Sequence, residues 1–388
     1  MAARPFWMAV HRYLGLAGVA FLTLAAATGC ILCFRAPLDA ALNRDLYSRS
    51  GGGPMDAIAA VARYQAASPT VRVTSFPLRV PEGGNLPVSI VAPPRAPGFD
   101  EVFLDPAGRV VGGRSTTPGW DHRRLLQGVY QLHYTLLAGS LGRWLMGLAA
   151  IGWLVGAIAG LYLTLPARGP FWRGWARAWT IRLSSRLPRL LLDLHQASGL
   201  WLLAPILVLA WTSLSMNYFE EAFVPIAQAL SPAKPSPFDP GARPVAPPAH
   251  AILAFKKAVS LATARARARG LAWRPAQVWA RPDLGLYGVA LTDDGELNFR
   301  RLGPIAYVFD GDGRFVYEDN PYEDSAGRAV ARSLYPLHTG KIAGLAGQVL
   351  DFILGLATVE QGVTGVYLWW KRRGPRIAAK RASRIGAN

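Results

Sequence analysis

Cysteine is nearly absent from this sequence: Cys30 and Cys33 are the only two, so no tetrahedral site built from two Cys-x-x-Cys pairs is available. Their counterparts in the second half of the chain are Leu214 and Asn217, and both cysteines sit in an apolar run. A packing or lipid-facing role fits them better than a redox pair. Histidine is also scarce, with six in the chain, so any imidazole chemistry falls on few residues. No Gly-rich nucleotide-binding fingerprint occurs, which excludes a built-in nicotinamide or flavin site of that type. Acid is missing where base is dense: Asp193 is the one acid near the basic stretches described below.

What is present is apolar length. The chain is 51% hydrophobic with positive mean hydropathy, too apolar for an ordinary soluble enzyme, yet long polar stretches interrupt it. Four runs approach or exceed the ~20 residues that cross a hydrocarbon core. Residues 13–34, 144–165 and 194–219 carry no Asp, Glu, Lys or Arg, and 342–370 holds only Asp351 and Glu360. The expected fold is therefore an α-helical membrane protein with four transmembrane helices.

Basic residues orient it, because short loops rich in Lys and Arg stay in the cytoplasm. Arg4 and Arg12 precede the first helix; Arg168, Arg173, Arg177, Arg182, Arg186 and Arg189 lie between the second and third. Lys371, Arg372, Arg373, Arg376, Lys380, Arg381 and Arg384 follow the fourth. Most of the net charge of +18 thus reports topology and gives no nucleic-acid footprint. Both termini are expected in the cytoplasm and both large polar segments in the periplasm of a Gram-negative inner membrane. The expected stretches are 1–35 (terminus and first helix), 36–128 (first exposed module), 129–166 (second helix), 167–192 (Arg-rich loop), 193–219 (third helix), 220–334 (second exposed module), 335–371 (fourth helix) and 372–388 (basic tail). Ala27 to Cys30 loosely resembles a lipoprotein cleavage site. The apolar run is longer than a usual signal core and lacks the Leu three residues before the cysteine, which favours a retained helix.

The two halves repeat. Placing His133 on His338 aligns Gly139, Gly142, Gly160, Tyr162, Gly169 and Pro170 with Gly344, Gly347, Gly365, Tyr367, Gly374 and Pro375. Placing His11 on His195 aligns Gly15, Leu16 and Thr28 with Gly199, Leu200 and Thr212. Each exposed segment starts with a helical stretch (55–67; 251–269) and continues as alternating strands. The clearest are 71–76, the strand before Asp105-Pro106-Ala107-Gly108, and 305–309 before Asp310-Gly311-Asp312-Gly313. One helix on an antiparallel sheet, an α+β module, is expected in each half. The Pro-rich stretch 232–248 reads as a tether.

The segments HRYLGL, LHYTLLAGSLGRW, LHQASGLW and LHTGKIAGLAGQVLDFILGLATVEQGVTGVYLWWKRR resemble the helices of the PepSY-associated transmembrane family. That resemblance covers essentially the whole chain. It implies PepSY-like exposed modules and the activities of that family, which include iron-regulated inner-membrane proteins and ferric-siderophore reductases that carry haem.

Four of the six histidines mark the starts of the four helices: His11 and His195 toward the cytoplasm, His133 and His338 toward the periplasm. Two imidazoles that hold one haem iron must come from facing helices at one level. His11 with His195, and His133 with His338, meet that condition, which gives two haem b sites, one near each face. Each histidine alone also reads as an ordinary interfacial side chain. The small residues Gly15, Gly18, Gly142, Gly147, Gly199, Gly344 and Gly347 suit either close approach of a macrocycle or plain helix packing. His122 precedes His133 by three helical turns if the helix is continuous, whereas His250 is expected to be solvated.

Asp351 and Glu360 are carboxylates inside a span and default to function: a proton path, a hydrogen bond to a haem ligand, or a quinol site. Their counterparts are Met146 and Val155, and they project from opposite faces of one helix. The function expected is a di-haem reductase passing electrons to a ferric siderophore, with His122, Arg123, Arg124, Tyr335 and Lys341 as candidate substrate contacts. The electron donor is then separate, a quinol or a cytoplasmic reductase. A haem-free PepSY binding or regulatory protein and an ion-coupled transporter are the alternatives.

Overall fold

The computed structural model describes residues 3–48, 55–91, 98–238 and 251–374; His250, the rest of the Pro-rich stretch and the tail cations beyond Arg373 lie outside them. Three helices are long and apolar enough to span a membrane, namely Ala3–Cys33, Gly139–Thr164 and the stretch ending at Lys371. A bent pair, Leu187–Trp201 with Leu203–Asn217, makes a fourth span if counted as one. The first span packs between the second and fourth, the second meets Leu203–Asn217, and the fourth meets Leu187–Trp201, closing a ring.

The third span was expected to be continuous and is not: its halves meet at 71° about Leu202. Pro205 explains the bend. It has no N–H to give to the Trp201 carbonyl, and its ring crowds that carbonyl. The first span, whose one proline, Pro5, stands in its first turn where no helical N–H bond is lost, stays unbroken. Glycine sets the closest crossing. A Cβ at Gly355 would stand 2.4 Å from Cys30 Sγ, and one at Gly362 2.5 Å from Thr23 Oγ1, so the first and fourth spans touch where two glycines seven residues apart clear the way. Cys30 is accordingly a buried packing residue whose thiol points at the Phe352 carbonyl, 3.5 Å away.

At one end of the bundle, the sheet end, lies one antiparallel sheet of eight strands. The first polar segment gives β1 (Arg72–Pro77), β2 (Leu86–Val91), β3 (Glu101–Leu104) and β4 (Val110–Arg114); the second gives β5 (Arg274–Arg281), β6 (Leu286–Thr292), β7 (Ile305–Asp310) and β8 (Phe315–Asp319). The order is β4-β3-β2-β1-β5-β6-β7-β8. Each half thus supplies a four-stranded meander, and β1 pairs with β5 through Ser75 opposite Trp279 and Phe76 opposite Val278. The expected pair of modules is in this respect a single layer. Helices Ala57–Ala67 and Ala251–Ala268 cover it, sharing one core in which Phe76, Phe255 and Tyr287 stack edge to face at 5.5 Å. Asp56 caps the first of these helices, accepting from the Ala59 N–H at 3.0 Å.

Arg114 fastens this layer to the bundle. Its Nη1 and Nη2 donate to the two oxygens of Asp39, each at 2.8 Å, and Nε donates to Glu101 at 2.6 Å; Asp39 belongs to the short helix Arg35–Leu42 that leaves the first span. Arg328 plays the matching part, tying the helix Ala326–His338 to Asp319 of β8 at 2.8 Å.

Burial raises the Asp39 pKa, but hydrogen bonds from Arg114 and Tyr47 outweigh it and hold the carboxyl below its ordinary value. A depressed folded-state pKa gives stability that is complete above the unfolded value and is lost as pH falls through the folded one. Asp39→Asn is therefore expected to cost about 3 kcal/mol at neutral pH, since it leaves Arg114 half-paired. The gap to wild type should close below about pH 4. Thermal melts across pH test this; coincident melts at pH 7 would contradict it.

Candidate functional site

The four histidines of the spans meet in two pairs. His11 of the first span and His195 of Leu187–Trp201 lie with ring centres 6.2 Å apart and planes at 77°. At the sheet end His133 and His338 lie with ring centres 6.1 Å apart and planes at 57°. No mixed pair forms among the described rings.

His133 and His338 do not start membrane helices, as their sequence positions suggest. His133 ends a short helix, Leu125–Thr135, and His338 ends Ala326–His338. In each case the chain then breaks and turns before the span proper. Leu136 and Leu137 take left-handed φ of 53° and 58° at the first break, and Gly340 takes 67° at the second. Stretches 129–166 and 335–371, expected to hold one helix each, thus hold two. The turns need glycine at matching places. A Cβ on Gly142 would lie 1.6 Å from the Thr135 carbonyl oxygen, and one on Gly347 2.0 Å from that of Gly340. These glycines let each short helix fold down so that its terminal histidine enters the bundle.

Every one of the four rings has its Nδ1 spent. His11 Nδ1 lies 2.8 Å from the Gly156 carbonyl and His133 Nδ1 3.0 Å from the Ala25 carbonyl. A carbonyl only accepts, so both nitrogens carry the proton. His133 also contacts Thr28 Oγ1 at 3.1 Å, and His338 Nδ1 contacts Thr212 Oγ1 at 3.2 Å. Thr212 donates its own proton to the Leu209 carbonyl at 3.0 Å, so its oxygen accepts from His338. His195 Nδ1 is 3.0 Å from Thr364 Oγ1, whose proton goes to Glu360, so His195 donates as well. The consequence is uniform: each ring presents an unprotonated Nε2.

Beside the inner pair, that of His11 and His195, lies a cavity of about 400 Å³. Gly15, Gly152, Gly156, Gly160 and Gly199 are among its walls, with Arg12 and Arg372. A Cβ on Gly160 would stand 3.1 Å from His11 Cε1, and one on Gly365 3.5 Å from His195 Cε1, so the rings rest against glycine at equivalent places. Of the glycines singled out from sequence, Gly15 and Gly199 line this cavity, whereas Gly142, Gly147 and Gly347 meet backbone or, for Gly147, the Tyr218 ring. Gly152, Gly156, Gly160 and Gly365 were missed. The first two are bare of neighbours within 4 Å, and their signal was a four-residue spacing on one face of the second span.

The carboxylates of the fourth span part company. Glu360 Oε2 accepts from Ser198 Oγ at 2.8 Å and its Oε1 from Thr364 Oγ1 at 3.1 Å, which joins it to His195 through one hydroxyl. Asp351 has a buried oxygen, Oδ2, with no hydrogen-bond partner among the described residues. The candidate substrate contacts also separate. His122 is exposed in the turn before Leu125–Thr135, and no continuous helix links it to His133. Arg123 is paired with Asp45 and Arg124 with Asp121. Tyr335 and Lys341 come together, Nζ donating to the phenol oxygen at 3.1 Å and lying over the Phe299 ring. Asp193, buried in the third span, takes Arg182 at 2.8 Å and Arg189 at 3.0 Å and so pins the Arg-rich loop.

Among the described residues no group of three or more His, Cys, Asp or Glu is placed to hold a metal ion. Paired imidazoles in a helical membrane bundle, above which a helix-covered sheet is fastened, define the class. The model of the PepSY-associated TM region matches residues 8–372, and the chain belongs to that family. No curated protein matches it.

Gly142→Ala and Gly347→Ala are each expected to cost about 1–3 kcal/mol by forcing the histidine helix off its span. Gly152→Ala, which faces open space, should melt like wild type. Equal melting temperatures for all three variants would contradict the packing account.

Proposed function

We propose that this chain is a di-haem inner-membrane reductase that carries electrons across the bilayer to a ferric siderophore on the periplasmic side. The observation that carries the reading is that in both histidine pairs Nδ1 is engaged and Nε2 is left free, on rings whose centres stand at nearly one separation. Two imidazoles on opposite sides of one metal ion, each about 2.0 Å from it through nitrogen, have ring centres about 6 Å apart. That is the spacing of both pairs. A bare ion held by only two such ligands is under-coordinated, and among the described residues no group of three or more His, Cys, Asp or Glu is placed to hold one. Haem is a group that two imidazoles alone would hold.

His11 with His195, and His133 with His338, would hold one haem b each, and the group supplies one-electron chemistry when bound. The carbonyls of Gly156 and Ala25, with Thr28, Thr212 and Thr364, fix the rings and their tautomers. The glycines of the inner cavity leave a flat wall, and Arg12 and Arg372, with no acidic partner among the described residues, supply positive charge for carboxylate groups. Both protein ligands at each site leave no open position, which suits electron transfer better than oxygen binding.

The internal duplication gives the two sites their economy, since each half contributes one histidine to each level. Electrons would enter at the Arg-rich face from a quinol or a cytoplasmic reductase. They would leave at the sheet end, where Tyr335, Lys341 and Phe299 form an exposed cationic and aromatic patch for an anionic ferric complex. Reduction weakens the hold of hard oxygen donors on iron and so releases it. Orientation follows the basic flanks, with both termini in the cytoplasm.

The purified protein, expressed with adequate haem, is expected to show the Soret and sharp visible bands of low-spin haem. His338→Ala should remove about half of the absorbance, His11→Ala the other half, and the double variant all of it. Absence of a Soret band in the wild type would refute the reading, and retention of both haems in each single variant would refute the pairing.

A further inference from the structure

The two histidine pairs differ in what stands behind them, and the difference lies in the second half of the chain. At the sheet end Thr28 and Thr212 bond His133 and His338 and pass their own protons to carbonyls of their own helices, at 2.7 Å for Leu24 and 3.0 Å for Leu209. His11 donates to the Gly156 carbonyl. All three environments are neutral. Only His195 has an acid beside its partner: its Nδ1 meets Thr364 Oγ1 at 3.0 Å, and the single hydroxyl proton of Thr364 is shared between the Glu360 carbonyl at 2.8 Å and Glu360 Oε1 at 3.1 Å. Ser198, one turn along from His195, donates to the other carboxylate oxygen at 2.8 Å. The repeat places Val155 opposite Glu360, Ala159 opposite Thr364 and Leu14 opposite Ser198, so none of the three polar groups has an equivalent.

Burying a carboxylate in a span is costly and is not needed to orient an imidazole, since a carbonyl or a threonine does that at the other three rings. What a carboxylate adds is charge. An imidazole whose N–H is drawn toward an anion becomes a more basic metal ligand and favours the higher oxidation state of the metal. The carboxylate's own field acts in the same direction, and strongly where the dielectric is low.

We propose that Glu360, acting through Thr364, is a positioning residue that lowers the reduction potential of the iron held by His11 and His195 below that of the iron held by His133 and His338. This rests on the di-haem reading above. With haem held at both pairs, one electron would pass downhill from the His11–His195 site, oxidised from ferrous to ferric, to the His133–His338 site, reduced from ferric to ferrous, with no other reactant. Direction across the membrane is built into one half of the duplicated chain.

The test is a spectroscopic redox titration of the intact protein. Wild type should give two one-electron transitions, and the lower one should be missing from His11→Ala. Glu360→Gln should move the lower midpoint upward and leave the upper one in place. Thr364→Val should do the same, Thr364→Ser should restore the wild-type value, and the Glu360→Gln, Thr364→Val double variant should shift no further than the larger single change. Unmoved midpoints in Glu360→Gln and Thr364→Val, with both haems retained, would overturn the proposal. If Glu360→Gln fails to fold, the comparison of Thr364→Val with Thr364→Ser decides alone. A wild type without any Soret band would overturn the haem reading instead, so the two failures are distinguishable.

Discussion

The structure depends on the direction in which four imidazoles spend their protons. In a low-dielectric bundle each ring N–H must find an acceptor, and each finds one on a neighbouring helix or through a threonine. Those bonds fix which nitrogen stays bare and where it points. Because the acceptor lies on a different helix from the histidine, the same bonds also hold the helices in register. The backbone carbonyl of Gly156, on the second span, thus orients His11 of the first and at the same time joins the two.

Much of the irregular backbone follows from this demand. The helices Leu125–Thr135 and Ala326–His338 descend from the sheet, end at their histidines and break, because a continuous helix would carry the ring past the level of its partner. Close turns at Gly142 and Gly347 make the breaks possible. The layer above is not independent of them, since β4 feeds one histidine helix and β8 the other, with Arg114 and Arg328 fastening the joints. Pairing of β1 with β5 joins the strands of the two halves in one sheet.

The spans were legible in the sequence because lipid imposes a length and a composition that no other environment asks for. The pairing of His11 with His195 and of His133 with His338 was legible from their levels alone. The bend at Leu202 was less so: Pro205 is visible, but prolines are tolerated in membrane helices and do not announce an angle. The fused sheet was hidden, since β1 and β5 join by backbone bonds that leave no mark on side-chain alternation. Glu360 stood out as a charge in a span, yet its link to His195 depends on how two helices are rotated against each other, which spacing along one helix does not contain. Asp351, equally visible, has no such link.

One half bends where the other is straight, and one half carries an acid where the other carries valine. The central claim, that each pair of rings closes on the two faces of one iron, is tested most directly by electron paramagnetic resonance of the oxidised, purified protein. Two distinct low-spin ferric signals are predicted, because the two proposed haems would each take a pair of imidazoles and the ring planes of the two pairs cross at different angles, 77° and 57°. A dominant high-spin ferric signal, or no ferric haem signal at all, would contradict it.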